Sequence, residues 1–208
     1  MAHKPVLIFD FDGTIADSFE TLLAIFEKIS KRPRKLTAAE IKDLRGRSLK
    51  QIIKYLKIRS WQIPRMALRA KREIALTIDS IETFSGMPEA LGQLKDSHEM
   101  YILSTNSASN IEKFLKKNKL DGKFKKIYGD IGLRSKSSAI KKITKREKLD
   151  NSLCFYIGDE VRDIEAAKKA GVKSIAVSWG FNFPQALTTA KPDYLAQTPK
   201  DLAKYLTS

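Results

Sequence analysis

The sequence predicts an α/β fold, a doubly wound parallel sheet with a small all-helical domain inserted after its first strand. Three observations predict it. An apolar run, Val6-Leu7-Ile8-Phe9, has the profile of a fully buried strand and ends abruptly at Asp10 and Asp12. Residues 15–84 then place their apolar side chains at helical spacing. From Phe84 onward, short apolar runs alternate with amphipathic stretches, which calls for parallel strands joined by right-handed crossovers. The implied division is a core of residues 1–14 and 85–208 with an insert of residues 15–84. A sheet of this kind binds ligands beyond the carboxyl ends of its strands, where strand order reverses.

The elements follow in order. Asp10 and Asp12 stand two positions apart at a strand end, so side-chain alternation leans both toward one place. Gly13 breaks the strand, and Thr14 can bond back to the acids. Asp17-Ser18 can cap a helix whose Phe19, Leu22, Leu23, Phe26 and Ile29 share a face. That helix stops at the basic loop Lys31-Arg32-Pro33-Arg34-Lys35. Thr37 with Glu40, and Ser48 with Gln51, make capping-box patterns, so two short helices flank Arg45-Gly46-Arg47. Pro64 suits the first turn of a longer helix running toward Glu82. After Pro88 come a helix to about Lys95, a strand over 100–103, a helix over 110–118 and a strand over 126–128. A helix over 137–146, a strand over 153–157, a helix over 162–170 and a strand over 174–177 follow. Tyr194-Leu195 and a short helix to Leu206 finish the chain.

Composition limits the class. With 208 residues, 42% hydrophobic and 30% charged, the chain can bury a real core and has no case for disorder. No apolar run is long enough to span a bilayer, and the first residues lack the apolar stretch of a signal peptide. Cys154, the single cysteine, sits in the run Leu153-Cys154-Phe155-Tyr156-Ile157 and reads as a reduced core residue. A cytoplasmic protein, monomer or weak dimer, is expected. The net charge is +15, of which +8 falls in residues 15–84 and +7 in the remainder, about twice as long. Such an excess attracts an anionic substrate, nucleic acid or an acidic membrane. The plain reading is a solvated lysine-rich surface, since no aromatic-interleaved basic stripe accompanies it.

Three further segments fall where this topology places a site. Leu103-Ser104-Thr105-Asn106-Ser107 puts a hydroxyl cluster directly after a strand; alone it is a helix N-cap, and the same donors can hold a phosphoryl oxygen. Lys136, in Arg134-Ser135-Lys136-Ser137, stands before a helix start and alone reads as solvated surface. In Phe155-Tyr156-Ile157-Gly158-Asp159-Glu160-Val161-Arg162-Asp163 a strand ends in Gly-Asp, with a second acid four residues on. That spacing makes Asp159 and Asp163 neighbours across one helical turn, with helix capping as the bland reading. Glu160 faces outward or pairs with Arg162. Asp10, Asp12, Asp159 and Asp163 thus converge on adjacent strand ends. Each like-charged pair near 4 Å costs roughly 4 kcal/mol at an effective dielectric of about 20, so the cluster requires a cation. Oxygen ligands alone, with His3 and His98 both away from these segments, select a hard divalent ion such as Mg²⁺ over zinc.

Together the four segments resemble the signatures of the haloacid-dehalogenase-like (HAD) phosphohydrolases. These are Asp-x-Asp-Gly-Thr at 10–14, the hydroxyl after the second strand (Ser104, then Thr105), the lysine before a helix (Lys136, then Arg134) and Gly-Asp-x-x-x-Asp at 158–163. The resemblance covers nearly the whole chain and implies a Rossmann-like core with a type-1 helical cap, nearest to phosphoglycolate-phosphatase-like members. It implies Asp10 as nucleophile, forming an aspartyl-phosphate, and Asp12 as general acid and then base. Ser104 or Thr105, with Lys136, would grip the phosphoryl group. Mg²⁺ would be held by Asp10, the backbone carbonyl of Asp12, Asp159 and Asp163. In the cap, Arg45 is the candidate substrate contact, with Arg47 and Lys50 behind it. The expected partner is a small phosphorylated metabolite, with no membrane role and no need for nucleic acid. Asp12 argues against a dehalogenase, and the lack of membrane spans against a P-type ATPase. A sugar-phosphate mutase stands as the alternative, then a non-catalytic nucleic-acid-binding module; a phosphonatase with a cap lysine also stays open.

Overall fold

Val6–Phe9 forms β1, buried on both faces as its unbroken apolar run requires. In this computed structural model, which describes residues 4–30, 35–44, 47, 49–132 and 136–208, β1 is a central strand of a six-stranded parallel sheet. The other strands are β2 (Glu99–Leu103), β3 (Lys126–Tyr128), β4 (Cys154–Gly158), β5 (Lys173–Val177) and β6 (Tyr194–Ala196). Their order is β3-β2-β1-β4-β5-β6, so strand order reverses between β1 and β4. Phe9 lies level with Ile102 of β2 and Ile157 of β4. Asp10, Ser104 and Asp159 therefore leave the sheet at nearly the same height.

Alternation along β1 sends Leu7 and Phe9 to one face and Val6 and Ile8 to the other. The first face packs on α5 (Met87–Leu94), α6 (Ala108–Lys117) and α10 (Pro199–Thr207). The second packs on α7 (Lys136–Arg146) and α8 (Val161–Ala170), and Cys154 lies fully buried there, its thiol pushed up to about 12 by burial. The expected elements after residue 84 are all present, with ends shifted by one or two residues. A helix that the periodicity did not suggest, α9 (Pro184–Thr189), follows β5 and packs by Leu187 against Ile164 of α8.

Between β1 and α5 the described regular elements are helical, with short 3-10 turns: α1 (Phe19–Ser30), α2 (Ala38–Leu44), α3 (Leu49–Tyr55) and α4 (Ile63–Thr77). Pro64 occupies the first turn of α4, which ends at Thr77 in a 3-10 turn rather than continuing to Glu82. The Thr37–Glu40 box forms, Thr37 N–H donating to Glu40 and Glu40 N–H to Thr37 Oγ1. Ser48 of the second box lies outside the described residues. Phe19, Leu23, Leu44, Ile52 and Leu56 make a separate small core. The segment is entered and left side by side, Asp17 N–H donating to Glu82 O at 2.9 Å and Phe84 N–H to Ile15 O at 3.3 Å. Among the described residues no helix is long and apolar enough to cross a membrane.

Candidate active site

After Phe9 the chain turns back sharply, and the amides of Thr14, Ile15 and Ala16 all donate to Phe11 O. Gly13 makes this possible. Its φ is +79°, and a Cβ there would collide with the Asp159 carboxylate and meet the Phe181 ring. The turn separates the two acids of the first signature. Asp10 is buried, with Oδ1 accepting the Phe11 N–H at 2.8 Å and Oδ2 bonded to Lys136 Nζ. Asp12 is half-buried and faces another way, accepting from Ser18 Oγ at 2.8 Å and from Asn106 Nδ2 at 3.4 Å. Burial pushes the Asp12 carboxyl up to about 6, although those hydrogen bonds pull against the rise. The Ser18 hydroxyl, just before α1, donates its hydrogen bond to Asp12.

Asp159 directly follows β4 and is fully buried. Thr14 Oγ1 donates to its Oδ1 at 3.0 Å and the Phe181 amide to its Oδ2 at 2.7 Å. Thr14 thus bonds back to an acid, but to Asp159 rather than to Asp10 or Asp12. Asp163, in the first turn of α8, accepts the Glu160 N–H at 3.1 Å and Lys136 Nζ. Asp10, Asp159 and Asp163 each offer a carboxylate oxygen, all within 4.8 Å of one another. Lys136, first residue of α7, reaches Asp10 and Asp163 from a site only 3% exposed, with its ammonium 5.7 Å from the Tyr156 ring. Burial pulls its basicity down, but Asp10 and then Asp163 outweigh that and hold it well above the usual lysine range. A solvated lysine is therefore ruled out at this position.

One ammonium does not balance three buried carboxylates. Burial, then Glu160, Asp163 and Asp10, holds the Asp159 carboxyl well above the usual range. Asp10 is raised too, by burial first, against the pull of Lys136. A group of carboxylate oxygens with surplus negative charge and no histidine or cysteine fits a hard divalent cation. Asp12 brings no carboxylate oxygen to it, so the convergence of four acids is a trio with Asp12 beside it.

Ser104 and Thr105 part company. Ser104 is 1% exposed, with its hydroxyl accepting the Asn106 N–H at 3.0 Å, whereas Thr105 lines the open cleft with Asp10, Asp12 and Asn106. Of the two hydroxyls, Thr105 is better placed to meet a ligand. Ser107 is the N-cap of α6, accepting from Asn110 N. Glu160 is not outward-facing: it is 6% exposed and bonded to Arg162, and both line the cleft. Arg47 lines the cleft opposite. Arg45 and Arg134 lie outside the described residues, as does the side chain of Lys50.

Two features escaped the sequence reading. Asn106, 5% exposed, holds Asp12 with one end of its amide and accepts Asn110 Nδ2 at 3.1 Å with the other. Its place among the hydroxyls after β2 was the available signal. The turn after β5 is the second: Trp179 Nε1 donates to Thr14 O at 3.1 Å, Phe181 N–H serves Asp159, and Asn182 Oδ1 accepts from Val161 N at 2.9 Å. Gly180 between two aromatics marked it, because a Cβ there would collide with Asp159 and Gly13 O.

A model of the haloacid dehalogenase-like hydrolase family matches residues 7–177. A phosphoglycolate phosphatase of Synechococcus elongatus is 35% identical, covering 97% of this chain and 96% of its own length. A pyrophosphatase of Listeria innocua is 26% identical over 94% of this chain and 93% of its own. Among solved structures, a haloacid dehalogenase-like hydrolase of Streptococcus pneumoniae superposes with a TM-score of 0.81 at 24% identity, over 97% of this chain and 98% of that one.

Proposed function

Because this chain belongs to the haloacid dehalogenase-like hydrolases, we propose that it is a Mg²⁺-dependent phosphatase that cleaves phosphate monoesters through an aspartyl-phosphate on Asp10. The observation that carries this reading is the partition of the two leading acids. Asp10 joins the buried trio and Lys136, while Asp12 stands apart, held by Ser18 and Asn106. One is suited to attack, the other to carry a proton.

Asp10 would attack phosphorus as the bond to the ester oxygen breaks, and Asp12 would give that oxygen a proton. A carboxyl raised to about 6 keeps a proton available near neutrality. Asp12 would then take a proton from water as the water attacks the phosphoryl group, releasing phosphate and restoring Asp10. Lys136 offsets negative charge on the phosphoryl oxygens, and Thr105 orients the group from the cleft wall. Asp10, Asp159, Asp163 and the backbone carbonyl of Asp12 would hold Mg²⁺, which supplies charge neutralisation for the approach of two anions. Residues 15–84 would form the cap domain over this site, and the partner is a small phosphorylated molecule.

The relatives described above carry the names of a phosphatase and a pyrophosphatase, and nothing in the site favours a mutase or a nucleic-acid module. A panel of phosphate esters, phosphoglycolate included, tests the reading by phosphate release. Activity is expected with Mg²⁺, none in a chelator, and no rescue by Ca²⁺, whose longer bonds and higher coordination disturb in-line attack. Full turnover in the chelator would sink it.

A further inference from the structure

We propose that the alcohol portion of the substrate is a hydrocarbon, so that the preferred ester is an aliphatic phosphate and not a phosphorylated acid or sugar. This rests on the phosphatase reading above and deepens it. Asp10, Asp12 and Thr105 line one end of a cavity of about 540 Å³. Ligand cavities of roughly 300–1,000 Å³ suit molecules much larger than a phosphate on two carbons. The remainder of the wall comes largely from the helical segment and is apolar: Leu22 and Phe26 of α1, Ile53 of α3, and Ile63 and Ile74 of α4. These five side chains are half-buried, so they form a continuous apolar surface that opens onto the reacting group.

Charge points the same way. A phosphorylated acid brings a second anion, which needs a cation near the far end of the cleft. Among the described residues that line it, the cations are Arg47 and Arg162. Arg47 is bonded to Asp43 at 2.7 Å and lies 5.9 Å from the Tyr55 ring; Arg162 is bonded to Glu160. Lys136 is held by Asp10 and Asp163. A second anion would find both arginines already held by carboxylates, whereas a methylene chain meets matching surface and asks for no partner.

The test is a series of alkyl phosphates from ethyl to octyl, with phosphoglycolate alongside, read by phosphate release and by calorimetric binding to the Asp10→Asn protein. Both kcat/KM and affinity are expected to rise roughly fourfold per added methylene, about 0.8 kcal/mol each, until the cavity is full. Leu22→Gln and Ile53→Gln should each flatten that slope. A flat series with phosphoglycolate far ahead overturns the inference and leaves the phosphatase reading standing. Tighter binding of longer chains without phosphate release from any ester supports the inference and overturns the phosphatase reading. Neither release nor chain-length-dependent binding overturns both.

Discussion

Asp10 and Asp12 differ in surroundings far more than their spacing in the chain suggests, and substitution should separate them. Asp10→Asn removes the nucleophile while leaving the Phe11 N–H a side-chain oxygen to donate to, so turnover should fall below about a hundredth of wild type with the fold retained. Asp12→Asn leaves the buried trio intact, and Mg²⁺ should still raise the melting temperature, while the rate falls roughly 10²–10⁴-fold. Phosphate-release kinetics and melting curves with and without Mg²⁺ check both; equal loss of the Mg²⁺ shift in the two variants would contradict the division of roles. Both acids were legible because an apolar run ending in Asp-x-Asp is uncommon. Asn106 was not, since its importance lies in reaching Asp12 from another strand, a contact between residues 94 positions apart. The choice between Ser104 and Thr105 also needed the fold, because adjacent hydroxyls differ only in which way the chain turns them.

At the level of elements, the turn joining β5 to its following helix is as much part of the site as the strand ends. It supplies the Phe181 amide to Asp159, and its Phe181 ring packs edge-on against Phe19 of α1 at 5.3 Å. Gly180→Ala should force this turn away from Asp159 and Gly13, costing about 1–3 kcal/mol of stability. It should also lower kcat at least tenfold, because a catalytic constellation tolerates little displacement. Chemical denaturation and steady-state rates measure the two effects, and a variant with wild-type kcat would show that the turn merely covers the site. The strands and the longer helices could be read from apolar runs and 3.6-residue periodicity. The helix Pro184–Thr189 could not, being short and fastened through the single fully buried side chain Leu187. The cleft was equally hidden: Leu22 and Phe26 belong to an ordinary apolar stripe until the helices opposite show that it is only partly covered.

For the molecule as a whole, the question is what +15 does. Several of its cations are engaged in exposed pairs, such as Lys28–Glu73, Lys113–Asp79 and Lys125–Glu99, which contribute little and are screened by salt. The described cations lining the cleft are paired as well. Raising ionic strength from about 0.05 to about 0.5 M should therefore lower kcat/KM for a monoester by less than about threefold. A fall of a hundredfold would mean that the field of the whole surface delivers the substrate.

The order of strands has a consequence for how the protein is made. β1 leaves the ribosome first, yet its two neighbours begin at Glu99 and Cys154. The bonds that close the site join residues far apart in the chain, 126 positions for Lys136 with Asp10 and 145 for Thr14 with Asp159. Such separations make folding slow and leave an apolar strand without a partner until β2 has been made, and with one side open until β4 follows. A nascent chain halted before β4 holds one of the three clustered acids, so the trio is completed in one step, when β4 and the first turn of α8 arrive together, and not gradually along the way.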